Sequence, residues 1–562
     1  MVNPLLNKNP NDMRQIDIVK IYANKRCLII DDFPEIRGSL SRTLKTFGVA
    51  SVDTAADGQD AIKLCQNKSY DIVLCDYNLG AGKDGQQVLE EVRFLRVLLM
   101  TSLFVMITGE SSRHMVLGAL ECQPDDYITK PYTQQSLKVR LNKAIVRHEA
   151  LLHIKRSVSK GNYKQALEYC NEMIAEGHRY SADCLKMKGQ LHFLLKQLKE
   201  ANEVYESVLG KKPVVWAKLG MAKTQLELEN LDAAEQILNE VIDEDERYVE
   251  AHDMMADVHL KRADTVAAQE STEHASRISP KSVLRHRKLA ELSEQNHDDE
   301  TALKSHQQSI KWGLNSCHES EQDYFNYARK VSDVVKGDDS SDSKLLVKNA
   351  NSFLDRARKR YTDRPDVAVQ AQMVETQIHQ AQGNEALAQK SHEKAKTLYN
   401  ELAAPPVETS LEFARSLYAL DEEQEARELL TKLAARHEGN TDIMRIIDGI
   451  TGEPITDAGK KVAAGLTKKG IGSYEGKDFD AAINVFNEAL FTYPKHVGLN
   501  LNLIQAITSA SEASGFESKH EAMVKRSLRA VGKITEDNKQ HKRYTFLLKQ
   551  IEKHYPDALI FD

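Results

Sequence analysis

Five side chains that could bind a cation and a phosphoryl group follow short apolar segments in the first 130 residues. Asp31 and Asp32 come after Leu-Ile-Ile, and Asp76 ends the run Ile-Val-Leu-Cys-Asp. Thr108 follows Phe-Val-Met-Ile, and Lys130 follows Tyr-Ile-Thr. A single Asp after a strand is usually a turn or cap residue, but caps do not explain five such groups in this order. The pattern therefore predicts one site for phosphoryl chemistry.

The elements that would position these groups alternate between strand-like and helix-like patterns. We predict strands at 27–30, 49–52, 72–74, 104–107 and 127–128, with helices at 35–47, 58–67, 86–98, 114–122 and from 134 onward. Five strand–helix units in succession predict a doubly wound α/β domain with a five-stranded parallel sheet. Functional groups in such sheets gather at the carboxyl ends of the strands, so the five side chains should share one edge.

Three carboxylates at one edge would repel one another unless a cation neutralised them. Oxygen ligands suit Mg²⁺, which usually retains several of its waters. A cation beside Asp76 would also neutralise an incoming phosphoryl group, while Lys130 could contact a phosphoryl oxygen and the Thr108 hydroxyl could donate a hydrogen bond. We predict that Asp76 accepts a phosphoryl group.

Residues 25–145 resemble the receiver domain of bacterial two-component response regulators, which has a flavodoxin-like fold. The resemblance is carried by the segments at 29–32, 71–79, 107–109 and 127–131. It implies that Asp76 is the phosphoacceptor. It also implies that Asp32, Asp76 and the backbone carbonyl of Asn78 bind Mg²⁺ directly, with Asp31 acting mostly through water.

The same resemblance implies a switch pair, Thr108 and Tyr127, and a phosphoryl-contacting base, Lys130. The loop Gly80–Gly85 departs from the family pattern, because it lacks the proline that commonly follows the position of Leu79 and is one residue longer. We expect this loop to be more mobile than in other receivers, which would affect the lifetime of the phosphate and the fit of the kinase.

Beyond the receiver, helical spacing runs without interruption from Gln134 to Ser159. A flexible tether would need a Gly-, Pro- or Ser-rich linker, and the first break in the pattern is Gly161-Asn162. We predict that the last receiver helix continues into, or stacks directly on, the first helix of the next domain.

The remaining chain is helical in pattern and partly periodic. Small residues recur at intervals of about 34 residues, at Ala166, Ala201, Ala234, Ala268 and Ala302. This period is typical of tetratricopeptide repeats (TPR), which stack into a solenoid that binds peptides or protein surfaces. A generic helical domain with alanines at its interfaces is the alternative. Gly470–Pro494 contains the clearest single copy, and weaker copies surround Ala388 and Ala426.

We divide the chain into a receiver at 22–148, an N-terminal TPR array at 149–316, an irregular helical or TPR-like middle at 317–457, and a C-terminal TPR-like block at 458–562. Polar segments at 336–343 and 439–459 should be irregular connectors. The most basic short run, Lys281–Lys288, is expected to be a solvated helix face.

The composition excludes several classes of protein. A net charge of −7 with mixed signs does not indicate a nucleic-acid-binding surface. The seven scattered cysteines do not form a disulfide or zinc-binding pattern. No apolar run is long enough to span a bilayer, and the first residues lack the apolar segment of a signal peptide. We expect a cytoplasmic protein.

These observations predict a response regulator of a two-component phosphorelay rather than an enzyme, with no activity beyond phosphoryl acceptance and slow self-dephosphorylation. A sensor histidine kinase would phosphorylate Asp76, and the TPR solenoid would then gain or lose a partner. The architecture resembles receiver–TPR auxiliary response regulators, which implies a partner in another two-component pathway. The alternatives are a constitutive scaffold and a phosphate sink. Receivers can also pair through their last helices, so a homodimer is possible.

Overall fold

The computed structural model describes residues 18–109, 124–515, 518–536 and 538–555. The strands of the N-terminal domain are β1 (Arg26–Ile30), β2 (Ser51–Ala55), β3 (Ile72–Asp76), β4 (Leu103–Thr108) and β5 (Asp126–Thr129). Its described helices are α1 (Ile18–Ala23), α2 (Pro34–Thr46), α3 (Gly58–Asn67), α4 (Gly85–Phe94) and α5 (Gln134–Ala150). The helix predicted at 114–122 lies outside the described residues.

The five strands form one parallel sheet in the order β2-β1-β3-β4-β5. This order confirms the predicted doubly wound α/β fold, followed by a long helical region. In the register, Asp76 lies opposite Ile107 and Thr108 lies opposite Thr129. The sequence placed the second strand two residues too early, because Val49 is buried before the strand begins at Ser51.

Two apolar layers cover the faces of the sheet. On one face, α2 and α5 pack Leu40, Leu44 and Leu141 against inward-facing strand residues. On the other face, α3 and α4 pack Ile62 and Val88 against the alternate set. Because both faces are covered, β3 and β4 are buried along their whole length and β1 is buried except at Arg26, as expected for the centre of a parallel sheet. The edge strands β2 and β5 are only partly buried.

The receiver leads into the helical region with a one-residue interruption. Helix α5 ends at Ala150, and α6 begins at Leu152 and runs to Ser159. Leu151 lies between them with φ −92° and ψ 2°, outside regular helical geometry. The predicted direct connection is therefore present, but the helix is not unbroken from Gln134 to Ser159.

The helical region begins with α6 (Leu152–Ser159), α7 (Tyr163–Ala175), α8 (Ser181–Leu194), α9 (Leu198–Leu209), α10 (Val215–Glu227), α11 (Leu231–Glu244), α12 (Val249–Lys261), α13 (Thr265–Ile278), α14 (Val283–Gln295) and α15 (Asp299–Gly313). It continues with α16 (Glu321–Val334), α17 (Ser341–Arg360), α18 (Pro365–Ala381), α19 (Glu385–Glu401), α20 (Val407–Ala419), α21 (Glu423–Arg436), α22 (Thr441–Thr451), α23 (Asp457–Glu475), α24 (Phe479–Thr492), α25 (Val497–Ser514), α26 (Ser518–Val531) and α27 (His541–His554). The chain forms two compact units. The first holds the receiver and the chain to Val258, with Glu270–His286 and Gln308–Glu319, and the second holds the rest.

One turn geometry recurs between paired helices. A residue with positive φ lies five positions before each alanine of the repeat pattern, at Gly161, Lys196, Glu229, Ala263 and His297. The same turn precedes the weaker copies, at Gly383 and Asp421, and the clear copy at Gly470–Pro494, at Lys477. The amide after each such residue donates back to a carbonyl of the preceding helix, as Gln197 does to His192 at 2.9 Å. This is the left-handed helix cap that usually favours glycine. The alanines that come after these turns are fully buried.

The two segments predicted to be irregular connectors, at 336–343 and 439–459, differ in structure. Residues 335–340 form a turn before α17, which Ser340 caps by accepting a hydrogen bond from the Ser343 amide. The segment at 439–459 is mostly helical, because Asn440 caps α22 and Thr456 caps α23. The expectation of an irregular connector there was therefore wrong. None of the described helices combines the length and apolar composition that a bilayer span requires.

Candidate functional site

The carboxyl edge of the sheet brings three carboxylates together. Asp76 is the last residue of β3, and Asp31 and Asp32 directly follow the neighbouring strand β1. One oxygen from each lies within 4.8 Å of the others. Asp31 and Asp76 are only 2% and 6% exposed, so this acidic cluster is largely shielded from solvent.

Lys130 provides the positive charge of the site. It lies just beyond β5, and its Nζ donates to Asp76 Oδ2 at 2.9 Å and to Asp31 Oδ2 at 3.4 Å. Burial raises the pKa of Asp76, and the hydrogen bond and charge of Lys130 only partly offset that rise. Burial lowers the pKa of Lys130, but the two carboxylates outweigh it, so its pKa is raised overall. Lys130 therefore stays protonated beside the acids.

The acidic cluster fits a divalent cation. Asp32 Oδ1 is buried without a hydrogen-bond partner, an arrangement that is unfavourable for a carboxylate unless a further ligand binds it. Asp31 Oδ1 already accepts a hydrogen bond from the Phe33 amide at 2.9 Å. Asn78 lies two residues beyond Asp76, where its side chain accepts from the Gly80 amide at 3.3 Å. Mg²⁺ would supply here the positive charge that three clustered carboxylates and a phosphoryl group require.

Thr108 and Tyr127 lie on adjacent strands near the same edge. Thr108 ends β4 and is 2% exposed, and its carbonyl accepts from the Lys130 amide at 2.6 Å. Tyr127 stands in β5, partly buried against the apolar layer that includes Met106. The predicted switch residues thus lie on β4, which neighbours the Asp76 strand, and on β5, the next strand outward.

The loop after Asp76 approaches the site very closely at its far end. The Gly85 amide donates to the Tyr77 carbonyl at 2.8 Å. A Cβ atom at Gly85 would lie 2.2 Å from the carbonyl oxygen of Asp76 and 3.0 Å from Tyr77 Cα. Only glycine fits this position, because those neighbours are backbone atoms.

The same loop is held by the helical region, which the sequence did not indicate. Lys281 Nζ donates to Tyr77 OH at 2.8 Å and to Asp84 Oδ2 at 3.0 Å. Lys83 Nζ donates to the Asn315 carbonyl and also pairs with Glu91. These tertiary contacts restrain the end of the loop at Lys83 and Asp84, and the mobility expected from the missing proline stays a prediction.

The basic run Lys281–Lys288 is also not a solvated helix face. The side chain of Lys281 is 15% exposed. Arg285 is 8% exposed and makes a two-point contact with Asp253, at 2.9 and 2.8 Å. A count of charges along the sequence does not reveal these partners, because they lie on other elements.

Comparison with known proteins places the relatives of this chain at its α/β domain. Residues 27–142 match the response regulator receiver domain family. Over 127 residues the chain is 31% identical to chemotaxis protein CheY-3 of Vibrio cholerae, which covers 23% of this chain and 96% of that protein. It is 29% identical over 122 residues to chemotaxis protein CheY of Pseudomonas aeruginosa, covering 22% of this chain and 97% of that protein.

Solved structures match the same region. The CheY-like receiver domain of Methanospirillum hungatei aligns with 22% of this chain and 96% of its own length, at 27% identity and a TM-score of 0.21. The CheY4 chemotaxis response regulator of Vibrio cholerae aligns with 21% of this chain and 98% of its own length, at 26% identity and a TM-score of 0.20.

Proposed function

This chain belongs to the response regulators through its receiver domain, and we propose that Asp76 accepts a phosphoryl group from a sensor histidine kinase in the cytoplasm. The supporting observation is the cluster at the sheet edge, in which Lys130 and the acids Asp31 and Asp32 surround the Asp76 carboxylate. Positioning and charge neutralisation are the main demands of phosphoryl transfer.

Each residue has a defined part in the proposed transfer. An Asp76 carboxylate oxygen forms the new P–O bond as the P–N bond of the donor phosphohistidine breaks, and the leaving imidazole takes up a proton. Lys130 then contacts a phosphoryl oxygen, and the Thr108 hydroxyl donates a hydrogen bond to another. Asp32, Asp76 and the Asn78 carbonyl would hold Mg²⁺, with Asp31 acting through water. In self-dephosphorylation, water attacks phosphorus, the P–O bond to Asp76 breaks, and inorganic phosphate leaves the regenerated carboxylate.

Incubation of the full chain with Mg²⁺ and acetyl phosphate, followed by phosphate-affinity electrophoresis, tests this assignment. The wild-type chain should shift to a slower band, and Asp76→Asn should not. Asp53→Asn is the matched control, because Asp53 is a β2 carboxylate that pairs with Tyr70 and Lys68. A shift that persists in Asp76→Asn would refute Asp76 as the acceptor.

The proposed output is protein binding by the helical region, which we assign to TPR-like repeats. Three features support this: the period of about 34 residues, the left-handed turn five residues before each repeat alanine, and the full burial of those alanines. The crossing between helices is also close, since a Cβ at Gly189 would lie 2.5 Å from the Tyr205 ring. The partner would be another response regulator or signalling protein, and the chain itself would act as an adaptor rather than an enzyme.

Two alternatives make different predictions. A constitutive scaffold would bind its partner equally well with and without acetyl phosphate, so a pull-down with both forms distinguishes it from a switch. A phosphate sink would still drain the kinase when the partner-binding surface is mutated. In either case, phosphorylation of Asp76 would not change partner affinity, because a ligand shifts an equilibrium only through its differential affinity for the two states.

A further inference from the structure

The helical region returns to the receiver at the segment directly after the phosphoacceptor. Lys281 stands in the turn between α13 and α14, and its Nζ donates to Tyr77 OH at 2.8 Å and Asp84 Oδ2 at 3.0 Å. The same ammonium group lies 5.0 Å from the Tyr77 ring centroid and 5.6 Å from the Trp312 ring centroid. Lys281 is thus enclosed by two aromatic rings and a carboxylate, which together satisfy a largely buried cation.

Further contacts extend along α4 from this point. Gln87 Nε2 donates to the Leu314 carbonyl at 3.1 Å, and Lys83 Nζ donates to the Asn315 carbonyl. At the other end of α4, the Phe94 and His318 rings are 5.8 Å apart in an edge-on arrangement. The whole helix that begins after the loop is therefore docked on the helical region, mainly through polar groups.

The docked segment has little freedom to move independently of Asp76. Tyr77 is the next residue in the chain, and Gly85 packs its backbone against the carbonyl of Asp76, where even a methyl group would not fit. Asp84 caps α4 by accepting from the Gln87 amide at 2.9 Å, with its other oxygen on Lys281. A change in the backbone at Asp76 would therefore move Tyr77 and Asp84 relative to Lys281.

A polar contact of this kind suits a switch better than an apolar one. When the contact opens, water can hydrogen-bond to Lys281, Tyr77 and Asp84, so hydration offsets much of what the lost contact contributed. A modification at Asp76 that favours one backbone arrangement would then shift the balance between them. Coupling between equilibria is reciprocal, so a contact that phosphorylation weakens must in turn disfavour the phosphorylated state. The rate of phosphorylation falls as well, because only the released fraction of the protein is in the competent arrangement.

We infer that Lys281 is a built-in restraint on the receiver: it holds the loop after Asp76 in the unphosphorylated arrangement, and phosphorylation releases it. This inference rests on the proposed phosphorylation of Asp76 and adds the route by which the helical region senses it. That route is a direct contact on Tyr77 and Asp84, additional to the covalent junction between α5 and α6.

The test compares phosphorylation of full-length variants by Mg²⁺ and acetyl phosphate, in which acetate leaves as the P–O bond to Asp76 forms. Lys281→Met removes the charge but keeps most of the aliphatic chain, and Lys212→Met is the matched control at an exposed position of the same unit. Lys281→Met should raise the initial rate by about fivefold or more, the lower range of allosteric coupling. Lys212→Met should behave as wild type.

A receiver-side variant keeps the test decisive if Lys281→Met is poorly folded, which circular dichroism and thermal melting would reveal. Tyr77→Phe removes only the hydroxyl that Lys281 contacts and should raise the rate in the same direction. The rate increase in the double variant should be smaller than the product of the two single increases, because both substitutions remove the same contact between Lys281 and Tyr77. A rate increase equal to that product would show that the two residues act independently and would overturn the inferred contact.

The outcomes separate this inference from the proposed function. If the wild-type chain is not phosphorylated, or Asp76→Asn is phosphorylated as well, the proposed function fails. If the wild-type chain is phosphorylated at Asp76 but Lys281→Met and Lys212→Met have equal rates, only the restraint fails. A slower rate in Lys281→Met would also overturn it, since the contact would then favour phosphorylation.

Discussion

The α5–α6 junction and the Lys281 contact both tie the receiver to the helical region, but their chemistry is opposite. The junction continues the chain with one interrupted residue, and around it Leu151 and Ile154 are buried in an apolar cluster with residues of α7 and α8. The Lys281 contact joins residues about 200 positions apart through hydrogen bonds and one ion pair. Apolar burial gives firm attachment, whereas a polar contact can exchange with water.

This difference suggests a division of roles. The junction fixes where the helical region begins, and the loop contact reports the state of Asp76. Variants in the junction should therefore change stability without changing phosphorylation, and variants at the loop should do the reverse. Substitutions in the junction and at the loop test whether the two roles are separate.

Ile154→Ala should destabilise the first unit by about 2–5 kcal/mol, because Ile154 is fully buried and its loss leaves a cavity. Equilibrium urea unfolding measures the change. The rate of phosphorylation of the folded protein should stay within about twofold of wild type. Val139→Ala, at a side chain that is 57% exposed on α5, is the control and should have little effect on stability. A large change in phosphorylation rate would contradict the passive role of the junction.

His148 should make the junction sensitive to acid. Burial first, and then the charge of Lys155, lower the pKa of His148 from 6.5 to about 4, against the opposing charges of Asp125 and Glu149. Its Nε2 lies 2.8 Å from the Thr101 carbonyl oxygen. Between about pH 4 and 6.5, His148 therefore binds a proton more readily in the unfolded chain than in the folded one. Stability falls as the pH drops through that window, and above it His148 makes no pH-dependent contribution to stability.

The expected loss at the acid end of that window is up to about 3 kcal/mol. Urea unfolding at a series of pH values measures it. His148→Gln can still donate to the Thr101 carbonyl but does not titrate, and it should flatten the pH dependence in this range. The prediction is wrong if wild type and His148→Gln lose stability in parallel.

Gly85→Ala is an exception to this separation and should affect the site and stability together, because Gly85 packs against the backbone of Asp76 itself. The added methyl group meets the Asp76 carbonyl oxygen, so the loop must shift, at about 1–3 kcal/mol for an overpacked position. A displacement of about 1 Å at a reacting group can lower a rate by roughly 100-fold. Acetyl phosphate labelling should thus fall steeply, while Gly38→Ala on α2, where the nearest atom would be 3.9 Å away, should label normally.

Lys83→Met should have the smallest effect. It removes one hydrogen bond to the Asn315 carbonyl and the ion pair with Glu91, a change of about 0.5–1.5 kcal/mol. The phosphorylation rate should rise in the same direction as in Lys281→Met, but by less. A larger rise than in Lys281→Met would show that the Lys83 contact, and not the Lys281 contact with Tyr77 and Asp84, is the main restraint.

Much of the receiver could be predicted because its determinants are local. Asp31, Asp76 and Lys130 each end or follow a strand-like run, and the topology of a parallel sheet brings strand ends to one edge. The helical pairs could be predicted for the same reason, because an alanine that is buried in the structure recurs about every 34 residues in the sequence. The error at 439–459 came from reading Gly, Thr and Asp as loop residues where Asn440 and Thr456 serve as helix caps.

The left-handed turns between the helices could not be predicted from residue types. Lys196, Glu229 and His297 adopt the left-handed conformation that glycine usually supplies, because the surrounding helix pair fixes the turn. His148 likewise gave no sequence signal, since its lowered pKa depends on burial and on the Lys155 charge two turns further along the junction.

The receiver fold, the acidic cluster around Asp76 and the helical nature of the chain beyond it could all be predicted from the sequence, because they depend on residue types at short, regular spacing. Only the tertiary structure decided how Asp76 and the helical region are linked. Lys281 reaches Asp84 across 197 positions of the chain, and no periodicity connects them. Such a contact exists only when the helices between them have packed, so the fold as a whole sets the distance between Asp76 and the helical region.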